Sequence, residues 1–355
     1  MNRPKGTKDI YGDVALYRRY VESVLESIAN VHGYQYLETP IFERKEVFVK
    51  SVGETTDIIG KEMYEFKDRK GREMVLRPEG TAGAIRAIVE NKLYIKLPFK
   101  AFYKGQMFRY ENPQKGRQRQ FSQFGVEVIG EKDPYLDAEV IMMANMIIKS
   151  FDIKAKLYIN SIGDRESRKK YSDALKEYFN NHKDTLTKDS IARIDKNPMR
   201  ILDDKIDSKK DVVKNAPKIS EFLSDQSIKY FKTLQDFLTK MSINFTVDET
   251  IVRGLDYYSE TTFEFKSLSD QVGSQDTLIG GGRYESLVKD FGGPEVGGVG
   301  FALGIERIVN EVKEKIDVND IRIKPNIFVL NIDKDSKEVV ASIVYMLRLS
   351  GYQTD

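Results

Sequence analysis

The order of apolar and polar positions predicts a mainly antiparallel sheet with helices packed around it, an α+β fold. Some segments alternate as half-buried strands do, such as FEF at 263–265, and others repeat apolar residues three and four positions apart as helices do. The predicted extended segments 101–109 and 121–129 flank the polar, cationic loop RYENPQKGRQRQ, and this arrangement predicts a hairpin with a long tip. The predicted helices are 14–31, one after Pro78 and 133–151; the predicted extended segments are 34–42, 62–67, 72–77, 101–109 and 121–129.

The composition changes between residues 152 and 250. This stretch holds one glycine, Gly163, is rich in Lys, Asp and Ser, and carries short helical repeats such as Ile228, Phe231 and Leu234. We therefore predict a helical insertion over 152–248, between two parts of one larger domain at 1–151 and 249–322.

The C-terminal segment, 323–355, predicts the beginning of a further α/β domain. After Pro325, the run NIFVLNI predicts a short buried strand, and 336–350 predicts an amphipathic helix ended by Gly351. One strand and one helix are too small to form a stable domain alone.

Composition and charge exclude several classes of site. The 355 residues include 57 Lys and Arg against 55 Asp and Glu, no Cys, and only His32 and His182 as histidines. Disulfides and thiolate metal sites are therefore excluded, and neither a Cys/His metal cluster nor a Ser-His-Asp triad is expected. No signal peptide is apparent and the longest apolar run, 141–148, is too short to span a bilayer, so we expect a cytoplasmic protein without a membrane partner.

The candidate chemistry lies in arginines that stand beside polar residues in otherwise apolar or glycine-rich sequence. Each arginine could be an ordinary surface side chain. Alternatively, the whole set could line one shared polar cavity, since buried polar groups need partners. The glycines of 280–304 could serve close backbone packing alone. The arginines are Arg109, Arg117, Arg119, Arg253 and Arg307, and the polar residues are Glu79, Gln123, Glu127, Asp256 and Tyr258.

Several long motifs, in order, resemble the class II aminoacyl-tRNA synthetases, and within that class the histidyl-tRNA synthetase family. RGLDYY and GGRY are the signatures peculiar to the histidine branch. The resemblance covers residues 3 to about 332 and is weakest over 152–250. The motifs are RPKGTKDIYG at 3–12, LRPEGTAG at 76–83, FRYENPQKGRQRQFSQFGVEVIG at 108–130, RGLDYY at 253–258, GGGRYESLV at 280–288 and GFALGIERIV at 300–309.

The resemblance implies activation of L-histidine by ATP to histidyl-adenylate, followed by transfer to the terminal adenosine of tRNA(His). It implies that Arg109 and Arg253 hold the α-phosphate, with Arg253 doing the work of a metal ion in other class II members. Arg117 and Arg307 would reach the outer phosphates, where Mg²⁺ is expected, and Phe121 would stack on adenine.

The resemblance also assigns a histidine site and a tRNA contact. Glu79, Thr81 and Gln123 would hold the α-amino group, while Glu127 and Tyr258 would hold the imidazole in a pocket lined by Tyr284. Tyr257 and Tyr284 could instead be packing aromatics, and Thr81 a helix cap. The hairpin tip would lie near the tRNA acceptor end through Gln114, Lys115, Arg117 and Gln118.

Two further expectations concern partners and alternatives. The segment GYQYLETPIF would form a homodimer interface. The family continues with an anticodon-binding domain, of which we expect only the first strand and helix here. A histidine-sensing regulatory subunit of ATP phosphoribosyltransferase shares the fold and lacks that domain, so it is the alternative function. Against it stand the complete set of arginines and the cationic loop.

Overall fold

The computed structural model describes residues 1–53, 56, 58–113, 116–204, 206–251, 257–269, 276–322, 327–332 and 335–354. The expectations for Arg253, Asp256, Gln114 and Lys115 lie outside these ranges.

The main sheet has eight strands within the described ranges, and most of its neighbours are antiparallel. Its order is β1-β5-β6-β11-β10-β9-β7-β8, and a separate three-stranded sheet has the order β2-β4-β3. The α+β class predicted from the pattern is confirmed. The strands are β1 (Gln35–Tyr36), β2 (Phe42–Arg44), β3 (Tyr64–Lys67), β4 (Glu73–Leu76), β5 (Phe99–Phe108), β6 (Gln120–Gly130), β7 (Ala155–Ser161), β8 (Thr246–Val247), β9 (Tyr258–Ser267), β10 (Thr277–Tyr284) and β11 (Gly297–Gly304).

Helices cover the sheet, and they agree with the predicted amphipathic repeats. Helices α1, α4 and α10 contribute to one large core with the strands, through residues such as Leu25, Ile141 and Ile308. The helices are α1 (Gly12–Val31), α2 (Lys45–Val52), α3 (Thr81–Glu90), α4 (Pro134–Ser150), α5 (Arg165–Asn180), α6 (Lys188–Ile194), α7 (Asp211–Lys214), α8 (Asp225–Lys240), α9 (Leu287–Asp290), α10 (Ile305–Lys313), α11 (Val318–Ile321) and α12 (Lys337–Leu349).

The region expected to be a helical insertion begins inside the main sheet. Strand β7 pairs with β9 along its whole length, from Ala155 opposite Ser267 to Ser161 opposite Thr261. Leu157 and Ile159 are buried by this pairing, and helices α5 to α8 follow it. The lysine-rich composition of 152–250 favoured helices, whereas β7 itself, AKLYINS, carries one charged residue, the exposed Lys156.

The predicted buried strand after Pro325 is wrong. Ile327 makes one isolated bridge to Thr354, whereas Phe328 and Leu330 are exposed. Helix α12 lies where it was predicted, but none of its described residues is buried. Since no described element covers this segment, its apolar side chains lie in solvent.

Candidate functional site

One pocket of about 450 Å³ opens on the sheet beside α3, β6, β10, β11 and the hairpin loop. Of the candidate site residues that the structure describes, Arg119 lies outside the lining of this pocket, with its guanidinium 3.9 Å from the ring centre of Tyr110, and the others line it. We call two parts of it the acidic end and the basic end. The acidic end comprises Glu79, Thr81, Tyr103, Gln123, Glu127, Tyr258 and Tyr284, and the basic end comprises Arg109, Glu111, Arg117, Phe121 and Arg307.

Strand β6 supplies side chains to both ends because alternate residues share one face. Phe121, Gln123 and Glu127 lie two or four positions apart and all line the pocket. Gly125 occupies the remaining position of this face. A Cβ there would lie 2.3 Å from Cζ of Tyr103, so the glycine leaves room for the Tyr103 ring. The alternation of FSQFGVE therefore places a ring, an amide and a carboxyl along one pocket wall.

Glu127 is the central group of the acidic end. Its side chain is 1% exposed, and its Oε2 accepts a hydrogen bond of 2.8 Å from the hydroxyl of Tyr284. Oε1 lies 3.5 Å from the hydroxyl of Tyr103. Gly300 faces Glu127 across the β6–β11 ladder, and a Cβ there would come within 2.2 Å of Oε2. A glycine is thus required at that position for the carboxyl group to fit.

Burial raises the pKa of Glu127 to about 8, and the nearby carboxylate of Glu79 acts in the same direction. The hydroxyl donors lower it but do not offset the loss of solvation. At neutral pH this carboxyl group is therefore mostly protonated. It can donate a hydrogen bond as well as accept one.

Glu79 caps helix α3. Its Oε2 accepts from the backbone N–H of Thr81 and its Oε1 from that of Ala82, both at 2.7 Å. Burial raises the pKa of Glu79, while these two donors and the charge of Arg109 lower it. The sequence left a helix cap as the alternative role of Thr81, but Glu79 has that role. The hydroxyl of Thr81 instead lies 3.5 Å from the hydroxyl of Tyr103.

Gln123 carries a buried acceptor that is open to the pocket. Its side-chain Oε1 is buried and has no hydrogen-bond partner among the described residues. A buried amide oxygen without a partner is costly, so a ligand N–H at this place would be favoured.

The basic end holds three guanidinium groups in defined places. Arg109 donates from Nε to the carbonyl of Pro78 at 2.9 Å, and its guanidinium lies 5.3 Å from the ring centre of Phe121. Arg307 donates from Nη1 to the carbonyl of Thr277 at 2.5 Å. Arg117 pairs with Glu111 at 2.8 Å. These contacts fix the cations before any ligand arrives.

The arginines of the basic end repel one another. Burial lowers the pKa of Arg307, and the charges of Arg117 and Arg109 lower it further. The pocket thus concentrates positive charge in a partly desolvated place. A polyanion would relieve both the repulsion and the desolvation.

Sequence reasoning did not single out Tyr103 or Glu111. Tyr103 sits in a predicted strand where an aromatic residue is ordinary, but a Cβ at Gly80 or Gly125 would collide with its ring, so two glycines leave space for it. Glu111 stands in the quoted loop motif between Tyr110 and Asn112, two residues after Arg109. No grouping of three metal-binding side chains occurs in the parts of the chain that the structure describes. Within those parts, every helix is too short or too polar to cross a membrane.

Comparisons with known proteins agree on one family. The family model described as histidyl-tRNA synthetase matches residues 6–308. A protein of Oceanobacillus iheyensis named histidine–tRNA ligase is 46% identical over 358 aligned positions, which cover 100% of this chain and 83% of that protein. The chain thus spans most of the length of this relative.

Solved structures give the same picture. The crystal structure of apo histidyl-tRNA synthetase from S. aureus has a TM-score of 0.83 and 36% identity, covering all of this chain and 84% of that one. A Bacillus halodurans structure described as an ATP phosphoribosyltransferase regulatory subunit/histidyl-tRNA synthetase has a TM-score of 0.71 at 19% identity, over 99% of this chain and 91% of that one. The second likeness concerns the fold alone.

Proposed function

The chain belongs to the histidyl-tRNA synthetase family and is a histidine–tRNA ligase, and from this premise we propose that the acidic end of the pocket binds L-histidine and the basic end binds ATP. The observation that carries this proposal is the buried carboxyl of Glu127, bonded to the hydroxyl of Tyr284 at 2.8 Å, in a pocket that also holds three arginines.

The acidic end suits a neutral imidazole ring. One ring nitrogen donates and the other accepts, so the site needs one partner of each kind. A protonated Glu127 and the hydroxyl of Tyr258 can serve both nitrogens, and Tyr284 orients the carboxyl group. Side chains without this pair of groups would leave buried polar atoms unpaired, which is a strong basis for rejection.

The α-amino group of histidine would lie between Glu79, Thr81 and Gln123. The open acceptor Oε1 of Gln123 and the carboxyl of Glu79 can receive its N–H bonds. Since Glu79 also caps α3, the amino group is tied to a rigid helix end.

The basic end suits the triphosphate and the base of ATP. Arg109 would contact the α-phosphate and the histidine carboxylate, Arg117 the β- and γ-phosphates, and Arg307 the γ-phosphate. Phe121 would stack on adenine. Arg253, which lies outside the described residues, keeps its proposed place at the α-phosphate. Substituting it with alanine is expected to slow adenylate formation by orders of magnitude while histidine binding stays nearly intact.

The reaction these contacts would support has two steps. A carboxylate oxygen of histidine attacks the α-phosphorus, a new P–O bond forms, and the bond to pyrophosphate breaks. A ribose hydroxyl of the terminal tRNA adenosine then attacks the acyl carbon, loses its proton and displaces AMP. In the first step negative charge gathers on phosphate oxygens, so prepositioned cations lower the barrier.

Magnesium fits the basic end in part. Glu111 offers one carboxylate beside Arg117, and phosphate oxygens and water would supply the other ligands that this ion prefers. When bound, Mg²⁺ would neutralise charge on the leaving pyrophosphate.

We further propose a homodimer and a tRNA contact. Tyr36, Ile41 and Phe42 are about half exposed in the segment expected to form the dimer interface. Gln118 and Arg117 are described near the pocket mouth, and Gln114 and Lys115, outside the described residues, would extend this surface toward the tRNA acceptor end. The cytoplasm is the proposed location.

Histidine-dependent ATP–pyrophosphate exchange tests the proposal. The purified chain with Mg²⁺ should exchange labelled pyrophosphate into ATP only when L-histidine is present. The regulatory-subunit alternative predicts folded protein that binds histidine and shows no exchange, and that result would overturn the ligase assignment.

A further inference from the structure

Tyr258 lies where the main sheet loses a neighbouring strand. Strand β7 ends at Ser161, and the chain beyond it makes two more bonds to β9. Ile162 N–H donates to the carbonyl of Glu260 at 2.7 Å, and Glu260 N–H donates to the carbonyl of Gly163 at 2.9 Å. The chain then turns into helix α5. Tyr258, two residues before Glu260, therefore lies beyond the last residue pair of the β7–β9 ladder, Ser161 opposite Thr261.

A side chain of helix α5 donates a hydrogen bond to the carbonyl of Tyr258, beyond the end of β7. Nη1 of Arg168 donates to the carbonyl of Tyr258 at 2.6 Å. Tyr258 is 6% exposed, and a charged donor makes a stronger bond than a neutral one. A hydrogen bond thus joins the helical insertion to the backbone of a residue of the acidic end.

Helix α5 is itself tied to α8 at its first turn. Asp164 caps α5 by accepting from the N–H of Ser167 at 2.8 Å, and it also accepts from the hydroxyl of Ser224, which caps α8, at 2.7 Å. The two helix ends therefore form one hydrogen-bonded unit. Arg168, one turn into α5, inherits this fixed position.

The same unit reaches β9 at a second point. Ser227, in the first turn of α8, donates to Oε1 of buried Glu260 at 3.0 Å, and Lys132 pairs with the same oxygen at 2.7 Å. Glu260 has a φ of +51°, which a residue with a side chain rarely adopts. The pairing register between β9 and β10 shifts opposite this point, between Gly282 and Arg283. The bulge re-aims the strand just after Tyr258, so its geometry depends on outside support.

We propose that Arg168 is a positioning residue for histidine recognition: it holds the backbone of Tyr258 so that the Tyr258 hydroxyl meets the imidazole ring. This inference rests on the proposed histidine site. It makes the insertion a structural support of amino-acid selection as well as a separate helical region.

The test measures histidine affinity in Arg168→Met, which keeps the length of the side chain and removes its donors. The dissociation constant for histidine should rise about ten-fold, while that for ATP changes less than two-fold. The KM for histidine in pyrophosphate exchange should rise with it, and kcat should fall less. Arg165→Met, an exposed position on the same helix, is the matched control and should leave all these values unchanged.

A double-mutant cycle with Tyr258→Phe separates positioning from general damage. If Arg168 acts through Tyr258, adding Arg168→Met to Tyr258→Phe should raise the histidine dissociation constant less than two-fold further. Full additivity of the two effects would overturn the inference, as would normal affinity in a folded Arg168→Met.

Two further results keep the outcomes distinct. Normal histidine affinity in Tyr258→Phe would overturn the proposed histidine site and this inference together. If Arg168→Met fails to fold, Arg168→Lys retains a charged donor and should show a smaller rise in the histidine dissociation constant than a folded Arg168→Gln. Equal rises in the two variants would count against the hydrogen bond.

Discussion

The two ends of the pocket solve different physical problems with different means. At the acidic end, Glu127 is buried among tyrosine hydroxyls, and burial is the main cause that raises its pKa to about 8. At the basic end, Arg307 is partly buried beside Arg117 and Arg109, and its pKa is lowered first by desolvation and then by the charges of those two arginines. The first end holds a mostly protonated carboxyl group that is already hydrogen-bonded to Tyr284, whereas the second is held in a state that a polyanion would stabilise.

This difference explains how one pocket can both select a ligand and activate it for reaction. A rigid site lined by buried polar groups distinguishes a small ring, because a wrong ligand would leave some of those groups without a hydrogen bond. A cluster of fixed cations gives little selectivity, but it stabilises negative charge that develops during the reaction. Substitutions at the acidic end should therefore change histidine binding, and substitutions at the basic end should change ATP binding and rate.

Arg109→Gln should show the largest effect on the reaction rate, and it is the strongest test of separate roles for the two ends of the pocket. Removing a fixed cation from the α-phosphate should lower kcat for pyrophosphate exchange by about 10²–10³-fold. Histidine affinity should change only a few-fold. Arg72→Gln, which removes a surface ion pair with Asp68, is the matched control. Equal losses in kcat and histidine affinity would contradict a separation between the ends.

Glu127→Gln should stabilise the ligand-free protein at alkaline pH while it weakens histidine binding. The folded pKa of Glu127 lies above its unfolded value of 4.5, so its favourable contribution is full below about pH 4.5 and is lost as pH rises toward 8. Glutamine does not titrate. The free energy of unfolding of the variant should exceed that of the parent by roughly 5 kcal/mol above pH 8, at about 1.4 kcal/mol per pKa unit.

Thermal or denaturant unfolding at pH 5 and pH 8.5 measures this difference. At pH 5 the two proteins should be nearly equal in stability, which serves as the internal control. A stability difference that is the same at both pH values would mean that Glu127 does not titrate as its burial requires.

Arg307→Ala should weaken ATP binding about ten-fold and leave AMP binding nearly unchanged. The guanidinium is proposed to meet the γ-phosphate, and a charge-assisted contact of this kind contributes on the order of 1.5–3 kcal/mol. Calorimetric titration with both nucleotides measures the ratio. Equal weakening for ATP and AMP would move Arg307 away from the outer phosphates, and a loss of histidine affinity would join two ends that we describe as distinct.

Tyr284→Phe and Tyr103→Phe form a matched pair within the acidic end and should have the smallest effects. Both remove one hydroxyl, but that of Tyr284 lies 2.8 Å from Glu127 and that of Tyr103 lies 3.5 Å away. The histidine dissociation constant should rise about ten-fold for Tyr284→Phe and about two-fold for Tyr103→Phe, because longer contacts contribute less. The reverse order would show that Tyr103 is the main partner of the carboxyl group.

The sequence anticipated some elements of this molecule closely. The hairpin of β5 and β6 lies within two residues of its predicted strands, because a long alternating pattern on both sides of a polar loop has few other solutions. All the candidate site residues within the described ranges except Arg119 line one pocket, and their roles are proposals.

Other features depend on contacts that are distant in sequence. Strand β7 begins a stretch whose overall composition predicted helices, and the capping role of Glu79 depends on its carboxyl group facing helix α3. The use of Gly80 and Gly125 to make room for Tyr103 requires three separate segments to meet. The apolar segment after Pro325 predicted burial, but burial needs a covering element, and none lies over it among the described residues.

The pH dependence of histidine affinity tests the central claim most directly. In the complex, Glu127 and the histidine imidazole should together carry one titratable proton, so that the carboxyl group is protonated and the ring is neutral. Affinity should therefore be highest between about pH 6.5, below which free imidazole is protonated, and about pH 8, above which Glu127 is ionised. Glu127→Gln should bind histidine more weakly and lose the decline near pH 8. A parent affinity that is constant from pH 7 to 8.5, or a variant that keeps the same decline, would contradict the proposed role of this buried carboxyl group.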